Sequence, residues 1–170
     1  MTIKRYKPIT PTLRERVSVD YKQENIWRGK PVKSCVKINT KTGGRNNKGR
    51  ISTFHKGGGH KRLYRMIDFK RNLFDKKGYV VRIEYDPNRS SYICLVAYIN
   101  GDFSYILAPQ GLNVGDSVIS SRGSDIDIKV GNSLCLKHIP VGMFIHNIEI
   151  KPGYGGQIAR SAGSSAKIIK

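Results

Sequence analysis

The chain has 170 residues, and its 31 lysines and arginines against 12 aspartates and glutamates give a formal net charge of +19. No apolar stretch approaches the roughly 18 residues that a membrane-spanning helix needs, and the three scattered cysteines argue against a disulfide framework or a cysteine zinc site. So large a charge opposes compaction by self-repulsion, and a polyanionic partner is therefore expected.

The positive charge is concentrated at the start of the sequence. Residues 1–71 hold 20 lysines and arginines and four acidic residues, whereas residues 72–170 hold 11 and eight. Apolar residues follow the opposite trend, with 21 in the first part and 44 in the second. The distribution predicts a basic arm over residues 1–75 attached to a globular unit. A solvated tail is the plain alternative, but aromatic residues between the cations favour a segment that orders on RNA.

The densest cluster of glycines and cations in the arm is Thr42–Arg50. The spacing from Gly44 to Gly49 matches a phosphate-binding loop, but Arg50 and Ile51 stand where that loop needs Lys and then Ser or Thr. A nucleoside triphosphatase is therefore disfavoured. Glycines beside cations are better explained by a backbone that lies against a phosphodiester chain whose phosphates the cations neutralise.

A second cluster, His55–Arg65, contains three successive glycines between its two histidines. The histidines lack a third or fourth partner at a usual metal-ligand spacing, so no metal site is predicted. Three residues without side chains permit close approach to RNA sugar and phosphate, which the flanking cations would stabilise. A flexible hinge is the alternative.

After the arm, the pattern predicts short strands and turns. Tyr79–Asp86 alternates charged and apolar residues, which predicts a half-buried strand with its charged residues on one face and Val, Ile and Tyr on the other. Asp86–Asn88 fits a type I turn, because Asp accepts at the first position and Pro fixes φ at the second. Tyr92–Ile99 and Phe103–Ala108 are predicted strands of one hairpin, joined by Asn100–Asp102.

Further strands are predicted at Ser117–Ser120, Ser133–Lys137 and Met143–Ile150, and Ala166–Lys170 has the pattern of a strand beginning. Short strands about ten residues apart are typical of small barrels. We therefore predict a mainly β chain with a long basic extended arm, an OB-like barrel over residues 76–124 and an incomplete SH3-like barrel over residues 125–170. A closed second barrel needs more strands than these residues provide.

Two positions outside the arm are candidates for recognition. Arg89 follows the predicted turn, and a turn holds a side chain rigidly, although an exposed turn arginine is most often only solvated. Gly155–Arg160 repeats the combination of glycines with polar and cationic residues. Catalysis is not indicated: Cys135 and His138 are close in sequence, but no orienting acid or oxyanion donor accompanies them.

A set of motifs resembles, in order and spacing, the bacterial type of the universal large-subunit ribosomal protein two family. They are Gly43–Ile51, Gly57–Arg62, Asp68–Arg71, Glu84–Ser90, Tyr105–Pro109, Ile139–Gly142, His146-Asn147 and Gly155–Gly163. The match covers nearly the whole chain and is more specific than any single motif. The opening, with Pro8–Pro11 and Trp27–Ser34, most resembles alphaproteobacterial and mitochondrial members.

The resemblance implies a non-enzymatic structural constituent of the large ribosomal subunit that binds its rRNA and supports subunit assembly and translation. It implies that Arg89 and Arg160 are barrel contacts to rRNA. The expected partners are large-subunit rRNA and neighbouring large-subunit proteins, with no membrane. No cofactor is expected, and Mg²⁺ would reach the chain only through rRNA. The candidate rRNA-binding residues are Arg45, Asn46, Asn47, Lys48, Arg50, His55, Lys56, Gly57, Gly58, Gly59, His60, Lys61, Arg62, Arg65, Lys70, Arg71, Arg89, Gln157 and Arg160.

The family continues beyond the Gly155–Gly163 motif and completes the second barrel, so we hypothesise a split protein whose carboxyl-terminal half is a separate polypeptide. The lack of an import presequence agrees with synthesis inside a mitochondrion; a plastid or the bacterial cytoplasm is the alternative location. The rival function is a free-standing OB-type single-strand binder, for which aromatic residues exposed on one strand face are expected. An enzyme is the weakest alternative.

Overall fold

The computed structural model describes residues 3–20, 24, 26–123 and 126–169, which are mainly β, as the sequence predicts. The strands are β1 (Ile3–Arg5), β2 (Val17–Val19), β3 (Val36–Ile38), β4 (Leu63–Arg65), β5 (Gly78–Glu84), β6 (Ile93–Tyr98), β7 (Phe103–Leu107), β8 (Ser117–Val118), β9 (Phe144–Ile145) and β10 (Ala166–Lys167). Helical structure within the described ranges is limited to α1 (Pro11–Arg14) and two 3₁₀ turns at Lys33–Cys35 and Leu136–His138. None of these helices could cross a membrane.

The largest sheet has the strand order β7-β6-β5-β8, with every neighbouring pair antiparallel. Three of its strands confirm the predictions for residues 79–86, 92–99 and 103–108. The predicted hairpin turn is also confirmed: Tyr98 N donates to Asp102 O over 2.9 Å, and Gly101 has a φ of 85°, which glycine adopts without strain. The sheet curls into a half-barrel, as expected of an OB-like unit.

Each face of this sheet carries a buried apolar cluster. The inner face packs Val80, Cys94, Val96, Tyr98, Ile106, Leu112 and Val118 into one cluster. The outer face packs Cys35, Ile93, Leu95, Tyr105 and Leu107 into another. Strand β6 contributes alternate residues to the two clusters, which explains why its sequence is a continuous apolar run.

Part of the basic arm covers the outer face. Val32, Ile67 and Phe69 pack against the outer cluster. The Val32 N–H donates to the Tyr105 hydroxyl over 3.0 Å, and the Cys35 thiol donates to the Phe103 carbonyl over 3.4 Å. These arm residues therefore contribute to the hydrophobic core, a role that the basic composition of the segment did not indicate. Elsewhere the arm forms two small antiparallel pairs, β1–β2 and β3–β4.

The predicted alternation of β5 is found at Arg82–Glu84, but the burial of its residues differs from the prediction. The pairing of β5 with β6 slips by one residue between Val80 and Arg82, so Val81 is a β-bulge. Ile83 consequently packs on the inner face, and Glu84 lies on the outer face that the arm covers. Glu84 is only 3 % exposed, whereas Val81 and Tyr85 are 43 % and 46 % exposed.

The later strand predictions hold in part. Strand β8 confirms the start of Ser117–Ser120, and β10 confirms a strand at the end, although Lys170 lies outside the described residues. The strand predicted at 133–137 is reduced to a β-bridge between Ser133 and Ser120, because the segment then turns, with His138 N donating to Cys135 O over 3.0 Å. The strand predicted at 143–150 is reduced to β9 and a bridge from Ile148 to Ile158, because Asn147 adopts a φ of 52° that interrupts extended backbone.

Candidate nucleic-acid interface

The turn after β5 holds Arg89 through a buried carboxylate. Asp86 is fully buried, and its Oδ1 accepts hydrogen bonds from the backbone N and the Nδ2 of Asn88 at 2.9 and 3.0 Å. Its Oδ2 accepts from Arg89 Nε at 2.6 Å. The turn predicted at Asp86–Asn88 is thus confirmed. Because the ion pair uses only Nε, the guanidinium keeps its two terminal nitrogens as a planar pair of donors.

Arg89 and Arg160 lie against the same aromatic ring. Their guanidinium carbons are 5.9 and 4.4 Å from the centroid of Phe69. The Gly156 N–H donates to the Phe69 carbonyl over 3.0 Å, which attaches the segment that carries Arg160. Gly155 has a φ of +86°, and a Cβ there would lie 3.2 Å from Phe69, so the close approach requires glycine.

Two further hydrogen bonds attach segments on either side of the turn. Arg62 Nη1 donates to the Pro87 carbonyl over 2.8 Å, and the Ala162 N–H donates to Ser90 Oγ over 3.2 Å. The arm, the β5–β6 turn and the segment at 155–162 thereby meet at one place. We call Arg62, Arg89 and Arg160, together with the Phe69 ring that the last two approach, the arginine cluster.

The glycine-rich part of the arm is an exposed cationic loop. Every residue from Arg45 to Arg62 is exposed. Asn46 Oδ1 accepts from the backbone N–H groups of Lys48 and Arg50 at 3.0 and 2.9 Å, so the asparagine shapes the loop from within. The cationic side chains are consequently displayed along an ordered backbone.

The glycines of this region divide into two kinds. At Gly44, with a φ of +73°, an added Cβ would collide with the Thr53 carbonyl, so internal packing requires glycine. At Gly57 and Gly58 a Cβ would meet nothing within 4 Å, and neither has a positive φ. The fold therefore places no internal demand for glycine at these two positions. The predicted RNA contact there stays a prediction, with a flexible hinge as the alternative.

Comparison with known protein families identifies the family to which the chain belongs. A model described as "Ribosomal Proteins L2, RNA binding N-terminal domain" matches residues 32–120, and one described as "Ribosomal Proteins L2, C-terminal domain" matches residues 129–170. The chain belongs to the L2 family of ribosomal proteins.

Curated relatives agree with this assignment. The chain is 59 % identical over 169 residues to large ribosomal subunit protein uL2 of Rickettsia rickettsii (strain Sheila Smith), and equally so to that of Rickettsia africae (strain ESF-5). The corresponding Rickettsia akari (strain Hartford) protein is 58 % identical. Each match covers 99 % of this chain and 60 % of the relative. The resemblance inferred from the motifs is confirmed, and the chain spans about three fifths of the length of these relatives.

Among the predicted contact residues of this chain, Arg71 differs because its side chain makes hydrogen bonds within the fold. Arg71 Nε donates to Ser120 Oγ over 2.9 Å and its Nη2 donates to the Gly131 carbonyl over 3.1 Å. Burial lowers the pKa of this guanidinium. Arg71 therefore joins the arm to the residues that follow β8, whereas Lys70 beside it is exposed. Its predicted contact with rRNA stays a prediction, as do those of the other candidates.

The sequence identified the two arginines but missed the residues that hold them. The sequence indicates Asp86 only as a turn residue, and it contains Phe69 only within the Asp68–Arg71 motif. Their positioning roles depend on contacts between distant segments, which no local pattern reveals. The histidines at 55 and 60 are exposed, and the described part of the chain contains no cluster of three or more His, Cys, Asp or Glu side chains that could hold a metal ion.

Proposed function

We propose that the chain is a non-enzymatic structural constituent of a large ribosomal subunit that binds large-subunit rRNA and supports subunit assembly and translation. The arginine cluster carries this proposal, because arginines from three segments meet at one turn and two of their guanidinium groups lie against the Phe69 ring. Arginine offers paired donors that match phosphate geometry. The family description of residues 32–120 as an RNA-binding domain supports the same function.

The exposed loop and the arginine cluster would contribute differently. The cations between Arg45 and Arg62 neutralise phosphates and supply most of the salt-dependent affinity. The fixed guanidinium groups of Arg89 and Arg160 set the position of the chain on the folded RNA. Mg²⁺ would reach the interface through the rRNA rather than through a site on the chain.

The test is binding of the purified chain to the cognate rRNA fragment. Arg89→Ala and Arg160→Ala should each weaken binding about ten-fold, since a charge-assisted hydrogen bond contributes roughly 1.5–3 kcal/mol. Lys4→Ala and Lys129→Ala are controls that remove the same charge elsewhere. Lys129 is 65 % exposed and is paired with an exposed aspartate. Equal losses in all four variants would contradict a special role for the two arginines.

We further propose that a separate polypeptide completes the second barrel next to β9 and β10, and that the assembly belongs to a mitochondrial large subunit. Apolar side chains in this region are uncovered: Val141, Phe144 and Ile169 are 64 %, 72 % and 84 % exposed. Large exposed apolar side chains grouped in one region are typical of a surface that a partner covers. Plastid and bacterial subunits are the alternatives.

Mass spectrometry of salt-washed large subunits from purified mitochondria tests both points. We expect this chain at one copy, co-sedimenting with a second basic polypeptide that carries the remainder of the family sequence. Recovery of one longer polypeptide containing both parts would contradict the split. Recovery of the chain only at the top of the sedimentation gradient, apart from the large subunits, would contradict the ribosomal function itself.

A further inference from the structure

One end of the outer face of the central sheet is uncovered. Tyr79 of β5 pairs with Ala97 of β6, and Ala97 pairs with Phe103 of β7, so the three side chains form a row across one face. Tyr79 and Phe103 are 45 % and 49 % exposed. We call this row the aromatic slot.

The row is exposed because the arm residues that pack on the outer face do not extend over it. On the same face, Leu95 and Tyr105 form the neighbouring row and are 2 % and 0 % exposed beneath arm residues. The hydrogen bond from the Cys35 thiol to the Phe103 carbonyl marks the edge of this cover. The arm thus stops one row short of the two aromatic rings.

The spacing of the row suits a flat ligand. Neighbouring strands are about 4.8 Å apart, so the backbones that carry Tyr79 and Phe103 are about 10 Å apart. Only the Ala97 methyl group stands between the two aromatic side chains. An aromatic base inserted above that methyl would have an aromatic side chain on each side, and sheet aromatics bind nucleobases by stacking.

The charge beside the row favours a nucleotide over an apolar protein segment. The Lys77 ammonium lies 5.3 Å from the centroid of the Tyr79 ring. The nearest acidic side chain in sequence, Asp102, already accepts a 2.6 Å hydrogen bond from Asn100 Nδ2. A cation next to a stacking aromatic side chain can neutralise the phosphate of the stacked nucleotide.

We propose that the aromatic slot binds an unpaired RNA base by stacking between Tyr79 and Phe103. It is a third RNA contact, built from residues that belong neither to the arginine cluster nor to the glycine-rich loop. The proposal rests on the proposed function only in that the same rRNA supplies the base. Stacking is sequence-tolerant, so the slot would select an unpaired base rather than a particular one.

The test uses the purified chain and a short oligoadenylate that contains 2-aminopurine, whose fluorescence is quenched by stacking. Tyr79→Leu and Phe103→Leu keep an apolar side chain but remove the π face. Each should lower affinity about ten-fold and abolish the quenching. The salt dependence of binding should not change, because no cation is removed. Ala97→Leu should give the same loss by filling the slot.

Phe144→Leu is the matched control, since Phe144 is 72 % exposed but lies in β9, outside the sheet. It should bind the oligonucleotide and quench its fluorescence as the parent does, and circular dichroism should give all variants the melting temperature of the parent.

Parent-like quenching in Tyr79→Leu and Phe103→Leu would overturn the slot while leaving the proposed function standing. Loss of a neighbouring ribosomal protein from subunits carrying Phe103→Asp, with RNA quenching retained, would overturn it in favour of protein docking. A parent chain without salt-dependent RNA binding would overturn the proposed function as well.

Discussion

Arg89 Nε lies 2.6 Å from Asp86 Oδ2, and the carboxylate of this pair is fully buried while the arginine side chain is 17 % exposed. A second pair repeats the arrangement, with Arg82 Nε 2.6 Å from Glu84 Oε1 and the carboxylate 3 % exposed. In a chain of net charge +19, these buried carboxylates do little to reduce the overall field. Their effect is local, because each fixes the direction of one guanidinium group.

The Asp86–Arg89 pair should contribute strongly to stability. Asp86→Asn leaves the Arg89 charge beside a site that no longer neutralises it, and we expect a loss of about 3 kcal/mol in the free energy of unfolding. Urea denaturation followed by circular dichroism measures the change. Asp127→Asn is the control, because Asp127 is 79 % exposed and its 3.0 Å pair with Lys129 should contribute under about 1 kcal/mol. Equal losses of unfolding free energy in the two variants would show that the buried pair contributes no more to stability than the exposed pair.

Phe69 should affect RNA binding although it carries no charge. Phe69→Leu keeps an apolar side chain against the outer cluster but removes the ring that both Arg89 and Arg160 approach. We expect about a ten-fold loss of affinity for the rRNA fragment from less ordered guanidinium groups. The Phe69→Leu and Arg160→Ala effects should also be less than additive in a double-mutant cycle. Strictly additive effects would show that the ring and the arginine act separately.

Glycine substitutions should separate folding from contact. Gly58→Val adds a side chain where nothing lies within 4 Å, so it should leave the melting temperature unchanged and impair assembly into large subunits. Gly44→Ala places a Cβ against the Thr53 carbonyl at a φ of +73° and should lower the melting temperature by several degrees. Normal incorporation of the Gly58→Val chain into subunits would count against close approach of RNA at this glycine.

Acidification should destabilise the chain through His146. Burial, and next the charge of Arg71, lower the pKa of His146 below 6.5. Below pH 6.5 the unfolded chain binds a proton here that the folded chain does not, so this contribution to stability is lost as pH falls toward the lowered value. Unfolding free energies at about pH 7.5 and about pH 5.5 should therefore fall less in His146→Gln than in the parent. His55→Gln, at an exposed histidine, is the control; a parent-like fall in His146→Gln would contradict the expectation.

Alkaline conditions should destabilise the chain through Cys94. Burial raises the pKa of this thiol from 9.0 to about 12, against a smaller opposing effect of Arg71. Above pH 9.0 the unfolded chain releases a proton that the folded chain retains, so stability is complete below that pH and declines as pH rises toward 12. Cys94→Val keeps an apolar side chain without a titrating group. The unfolding free energy of the parent should fall relative to this variant above pH 9.0, and a constant difference would exclude the thiol as the cause.

The sequence predicted the central hairpin well because its information is local. The apolar run at 92–99 and the turn at Asn100–Asp102 fall where β6 and the β6–β7 connection are found. The burial of Glu84 could not be predicted, since the bulge at Val81 is defined only by pairing with β6 and the cover over Glu84 comes from the arm. The core role of Val32 and Ile67 was missed for the same reason, because it depends on strands that follow them in the chain.

The sequence predicted which charged residues form the candidate interface, but it did not predict how they are arranged in space. Composition and motifs identified the cationic loop and Arg89, since glycine, turn and charge patterns are read along the chain. Arg160 and Arg89 approach the same ring, that of Phe69. The segment of Arg160 is attached there by the hydrogen bond between Gly156 and Phe69, and the whole central sheet lies between these two residues in the sequence. The aromatic slot was likewise hidden, because its members lie on three different strands.

The hydrogen bond from Val32 to Tyr105 joins residues 73 positions apart and has a consequence for synthesis. During translation, the segment at 32–35 leaves the exit tunnel well before the strand on which it packs. In that interval the apolar side chains of this cationic stretch have no strand to pack against. Docking of the arm is thus a late, long-range step of folding that waits for β7.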